Sequence, residues 1–160
     1  YMMSQVFVNL TTSEGDDKVE LNNAKIEILN CYTKGNIGLH SRKVFNKSEQ
    51  KEYSMNAVTS SETDKRQWHD VIVPQDVTNL KFRITVTNSD NTKDVYEASI
   101  ANILSTTQDE SGNNTTEHIT SWDSGHKYIY NLKVTKTKVS ITATITDWET
   151  RSTDETDIWL

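Results

Sequence analysis

A single cysteine, Cys31, leaves no partner for an intrachain bridge, so a disulfide-stapled scaffold is excluded. One free thiol does not imply a reducing compartment. There is one proline, Pro74, and only five glycines, so Asn, Asp and Ser must make most turns. No apolar run approaches the ~20 residues of a membrane-spanning helix, and no signal-peptide pattern opens the chain. Hydrophobic residues make up only 34% of the 160 positions. Basic residues are scattered, and the net charge of -6 would repel a phosphate backbone, which argues against nucleic acid as a partner.

What is present is strand chemistry. Thr, Ser and Asn supply about a third of the residues, and β-branched Thr packs well on a half-exposed pleated surface. Aromatic and β-branched residues recur throughout, unlike a disordered composition. Period-2 alternation is the dominant signal. Val6, Val8 and Leu10 alternate with Phe7 and Asn9, and Ala24, Ile26 and Ile28 with Lys25 and Glu27. Leu80, Phe82, Ile84 and Val86 form a third row, and Tyr96, Ala98 and Ile100 a fourth. Tyr128, Tyr130, Leu132 and Val134 form a fifth row, and Val139, Ile141, Ala143 and Ile145 a sixth. A seventh, Val71-Ile72-Val73, is closed by Pro74, which cannot donate to a ladder.

Turn residues separate these runs at Glu14–Asp17, Asn88–Asn91 and Ser111–Asn114, and Lys136-Thr137-Lys138 reads as a tight hairpin. Val44 to Gln67 reads as a long loop with at most one short strand, Tyr53 to Val58, and Thr106 to Thr116 as a second polar loop. No helical stripe and no fixed-period repeat is present. One apolar and one polar face per strand predicts an all-β fold, an antiparallel β-sandwich of about seven strands.

The last third carries the most specific pattern. Gly125 stands before an aromatic-alternating strand, Gly125-His126-Lys127-Tyr128-Ile129-Tyr130. After a short turn, a second strand ends in Ile145-Thr146-Asp147-Trp148. Gly125 can supply the positive φ of a sharp strand entry, and Tyr128 and Tyr130 share one face as a core aromatic row. Trp148 has the opposite parity to Ile145, so it lies on the outer face unless a bulge turns it inward.

This signature resembles the C-terminal domain of fimbrillin-like proteins of Bacteroides-type bacteria. Met3 to Leu10 is similar to that family's domain-opening strand, and Val71-Ile72-Val73-Pro74-Gln75 to its Val-Pro-Gln strand end. The family's usual His before the opening strand is replaced by Tyr1-Met2-Met3. The resemblance implies a transthyretin-like sandwich over residues 1–148, followed by a polar tail over 149–160. It implies a subunit exported as a lipoprotein to the cell surface, fimbrium or outer membrane. The implied partners are neighbouring pilus subunits and an N-terminal domain outside this chain, with a host protein or glycan as receptor. The chain opens inside strand-like sequence and is read as a mature or trimmed fragment.

Catalytic chemistry is not legible. His40, His69, His118 and His126 are dispersed, Cys31 has no nucleophile signature, and no phosphate loop or zinc spacing occurs. The expectation is therefore no enzyme, no cofactor and no metal. Asp16-Asp17 and Asp154-Glu155-Thr156-Asp157 read as a solvated turn and a solvated tail. Trp68, in Arg66-Gln67-Trp68-His69, has two readings: a surface ring on which a sugar stacks, or a strand-start residue covering the core edge. The first would support an alternative function, a glycan-binding module of a surface uptake lipoprotein. The tail does not alternate: Thr150, Ser152, Asp154 and Thr156 form one row, and Arg151, Thr153, Glu155 and Asp157 the other. It is thus a poor strand to donate to a neighbour's groove, which favours a tip, anchor or accessory subunit over a stalk subunit.

Overall fold

The computed structural model describes residues 2–38, 44–59, 62, 64–88, 90–108, 111–136 and 139–147. Among them the chain forms thirteen strands. In order they are β1 (Ser4–Thr12), β2 (Lys25–Ile37), β3 (Val44–Ser54), β4 (Ala57–Val58), β5 (Lys65–Ile72), β6 (Gln75–Asp76) and β7 (Lys81–Thr87). Then come β8 (Lys93–Ser99), β9 (Leu104–Gln108), β10 (Asn114–His118), β11 (Ser121–Trp122), β12 (His126–Val134) and β13 (Val139–Asp147). The helical content described is two 3-10 turns of three residues each. The all-β reading therefore holds.

One sheet has seven strands in the order β10-β9-β13-β12-β1-β5-β4, and a second has four in the order β3-β2-β7-β8. β11 and β6 pair as a two-stranded ladder. The alternation predicts the core well. Val6, Val8, Leu10, Tyr128, Tyr130 and Leu132 from the large sheet are at most 2% exposed, as are Ile26, Ile28, Phe82 and Ile84 from the small one. The two rows meet where the rings of Phe82 and Tyr130 pack edge-on, 5.0 Å apart. Ile145 is only partly buried. The side chains of Val139 and Ile141 lie outside the described set.

Three expectations are corrected. The sheet is not purely antiparallel: β1 runs parallel to β12 across eight register pairs from Gln5↔Lys127 to Thr12↔Val134, and β13 meets β9 in parallel at Ala143↔Ser105. Parallel neighbours need a distant connection, so local hairpin logic does not find them. The two polar stretches read as loops are also partly strand. β3 pairs with β2 through two register shifts, and β9 and β10 form a hairpin. Lys47 to Glu52 and all five residues of β10 are exposed, so no apolar face exists to create a period. Finally, β1 is buried on both sides. Phe7 and Asn9, expected on a wet face, are 7% and 2% exposed.

Candidate functional site

The signature residues converge where the start of β1 meets the turn before β12. Gly125 has φ +75, and its N–H donates to the Met3 carbonyl at 2.9 Å. Ser4 Oγ donates to the Asp123 carbonyl (2.8 Å), and Ser124 Oγ to the Met2 carbonyl (3.2 Å). Below this corner, Trp122 Nε1–H donates to Tyr130 Oη (2.8 Å) and the Asp123 N–H to Tyr128 Oη (2.7 Å). Trp122 is 1% exposed. The motif thus clamps segments more than a hundred residues apart and closes the end of the core. It is a lock on the parallel β1–β12 seam, with the Trp122 indole and both tyrosine hydroxyls bonded internally. Asp147 pairs in register with His126, and Trp148 lies outside the described residues.

Replacing Gly125 by Ala forces a Cβ into the left-handed region and is expected to cost about 1–2 kcal/mol. Urea unfolding checks this, with a lower midpoint at an unchanged slope.

Burial also shapes the hydroxyls. Desolvation pushes the Tyr128 phenol up to about 12, and pushes Tyr130 in the same direction. An unfolded Tyr ionises near 10, so the folded state keeps protons that the unfolded chain loses. Stability is full below about pH 10 and falls as pH rises toward 12. Urea midpoints across that range are expected to drop, and Tyr130→Phe to drop less steeply.

Trp68 sits in the middle of β5, paired with Val8 and Ala57, and is 3% exposed within the core. It offers no ring face to a sugar, which corrects the surface-platform reading. Cys31 is 1% exposed. Its thiol lies 3.6 Å from Gln75 Nε2, beside a cavity of about 80 Å³ lined by Met3, Tyr53 and Ile72. Burial pushes the thiol up to about 11, so neutral pH leaves about a hundredfold less thiolate than for a free cysteine. A disulfide reagent is expected to react with Cys31 only after unfolding.

Gln75, the last residue of the Val-Pro-Gln run, is 3% exposed. It donates to the carbonyls of Tyr32 (3.1 Å) and Val73 (2.9 Å) and accepts from the Tyr32 N–H (2.9 Å). It therefore pins β6 to β2. Asp70, which the alternation passed over, has a similar role. It is 6% exposed and accepts from Tyr53 Oη (2.9 Å), the Asn56 N–H (2.8 Å) and the Asn56 side-chain amide. Its signal was parity, since it shares a face with Trp68 and Ile72.

Among the described residues no group of three or more His, Cys, Asp or Glu could hold a metal ion. His69, His118 and His126 stand on β5, β10 and β12, and His40 lies outside the described set. In the broad polar groove of about 530 Å³ beside Lys18, Glu20, Asp90, Asp94 and Lys136, Thr92 engages Asp90 and Asn88 engages Asp94.

Strand edges are accessible among the described residues. β10 bounds the large sheet on one side. On the other, β4 covers β5 only at Trp68 and Gln67, leaving Val71 48% exposed. The small sheet is bounded by β3 and β8 and carries a charged outer face on which Val95 is 57% exposed. There Arg83 bridges Glu52 (3.1 Å) and Glu97 (3.3 Å), and Glu27 pairs with Lys25 (3.8 Å). Such charges protect edges from indiscriminate pairing.

The sequence profile of the fimbrillin-like family matches residues 2–148. No curated protein matches the chain. Among solved structures, the chain is similar to a Bacteroides uniformis protein named for cell adhesion, with 12% identity and a TM-score of 0.65 over 92% of this chain and 51% of that one. A second, from Bacteroides ovatus and named likewise, has 15% identity and a TM-score of 0.58 over 94% of this chain and 46% of that one. At such identity the likeness is one of fold. The chain spans about half the length of these structures.

Proposed function

We infer the function from one premise: the chain belongs to the fimbrillin-like family. On that premise it is one domain of a structural and adhesive subunit of cell-surface fimbriae. The complete protein is exported, as a lipoprotein of the outer membrane, and works beside a second domain. Its partners are neighbouring subunits and, at the fibre surface, a host protein or glycan. The observation that carries this reading is the family match across nearly the whole β-sandwich. The disposition of polar groups agrees with it: the signature's hydroxyls, the Gln75 amide and the Asp70 carboxylate are all spent on internal bonds. Backbone at the strand edges can be offered to a partner, which suits assembly by strand addition. The polar, non-alternating stretch after Trp148 favours a tip, anchor or accessory place over a stalk place.

The test is removal of the coding sequence from the source bacterium. Loss of adhesion to host cells, restored by the full-length protein, is the expected result. Unchanged adhesion and unchanged fimbriae would contradict a fimbrial role.

A further inference from the structure

The edge strands of the two sheets differ in what they offer. β4 is two residues long. β3 is interrupted by two register shifts, with Glu49 at φ +56, and such irregularities turn an edge away from a neighbour. β10 has no apolar residue among its five. β8 differs from all three. Its seven residues pair with β7 in unbroken register, from Thr87↔Lys93 to Lys81↔Ser99. Among the described residues it has no strand on its far side, and Lys93, Val95 and Glu97 are exposed there.

The backbone parity of β8 follows from the bonds at its two ends. The Asn88 N–H donates to the Thr92 carbonyl (2.8 Å), and the Ile100 N–H to the Leu80 carbonyl (3.0 Å). Both bonds extend the register of the β7–β8 ladder. Antiparallel pairs alternate between bonded and non-bonded, so Asp94, Tyr96 and Ala98 bond to β7. Lys93, Val95, Glu97 and Ser99 then turn their N–H and C=O groups to the open side. The side chains of Lys93, Val95 and Glu97 share the outer face of the sheet with Arg83, which contacts Glu97 at 3.3 Å.

We propose that this edge pairs with the same edge of a second copy of the chain, antiparallel about a two-fold axis at Val95. The occupant is argued from self-complementarity. Only the odd-numbered residues can bond across the open side, which leaves few symmetric registers. Centred on Glu97, the pairing sets Glu97 against Glu97. Centred on Asp94 or Tyr96, it sets Val95 against Lys93 or Glu97 and joins no opposite charges. Centred on Val95, it sets Val95 against Val95 and Lys93 against Glu97 twice. The charges that discourage other strands thus select this register and this partner. A two-fold contact uses both edges and closes, so it makes dimers and not filaments. One strand edge is small beside the ~1,600 Å² of a stable complex interface, so the dimer forms at high concentration. The inference does not rest on the fimbrial reading, because it concerns the isolated chain.

The experiment is sedimentation equilibrium of the full chain from micromolar to millimolar concentration. The parent is expected to pass from monomer to dimer and to stop there. Val95→Pro removes an N–H on the open side and none from the β7 ladder, so it is expected to abolish the dimer. Lys93→Glu alone and Glu97→Lys alone each set like charges opposite one another. Each is expected to weaken self-association about fivefold or more. An equimolar mixture of those two variants restores both opposite-charge pairs and is expected to regain the parent's affinity. Circular dichroism melts establish that each variant is folded, and if Val95→Pro is not, the mixture decides alone. A parent that stays monomeric throughout would overturn the proposal. So would a dimer that persists in folded Val95→Pro, or a mixture that associates no more tightly than its separate variants.

Discussion

Truncating Tyr130 to Ala is expected to cost about 3–5 kcal/mol, the range for a large buried aromatic. The ring is fully buried, packs against Phe82 at 5.0 Å and Trp122 at 6.4 Å, and lies where the two sheets touch. Its loss opens a cavity between layers held apart by other side chains, so the site cannot collapse freely. It also strands the Trp122 indole N–H, which has Tyr130 Oη as its acceptor. Tyr130→Phe isolates that second part and is expected to cost about 1–3 kcal/mol. For a domain of this size each kcal/mol moves the melting temperature by roughly 2–4 °C, so Tyr130→Ala should melt about 6–20 °C lower. A loss under about 1 kcal/mol would mean that the two sheets do not share this core.

Asp70→Ala is the second large effect, on the order of 3 kcal/mol. Three donors converge on this carboxylate, from Tyr53 and twice from Asn56, and all belong to the chain that passes from β3 to β4. The same corner is tied to both sheets by backbone: Met55 N–H donates to Ile26 and His69 N–H to Asn56. Removing Asp70 leaves donors facing protein with no acceptor and loosens the link between the sheets. Asp70→Asn keeps the shape but reverses one donor–acceptor pair, and is expected to recover only part of the loss. Denaturant titration of both variants beside Asp70→Glu checks the order. Equal stability of Asp70→Ala and the parent would refute the role.

The sequence announces a strand where one face is dry and the other wet. That is why β7 and β12 were legible as alternating rows, and why Tyr128, Tyr130 and Phe82 could be placed in the core. It is silent where both faces share one environment. β10, and β3 from Lys47 to Glu52, are wet on both sides, so their polar residues look like loop. β1 is dry on both sides, so Phe7 and Asn9 were assigned to a solvated face. Trp68 was read as a strand start because the polar stretch before it hid β3 and β4, and its burial follows from its place beside Val8. The parallel β1–β12 seam joins residues more than a hundred positions apart, and no local pattern encodes such a pairing. The signature corner was legible as a motif and as a positive-φ glycine. Its purpose, holding that seam shut, became visible only when Met3, Ser4 and Asp123 were seen together.

The central claim is that this domain belongs to a fimbrial subunit. The most direct measurement is immunogold electron microscopy of the source bacterium, using antibodies raised against this chain. Gold on filaments that project from the cell, concentrated at their tips or bases, is the predicted result. Gold confined to the cell body or the medium, with filaments present and unlabelled, would contradict it.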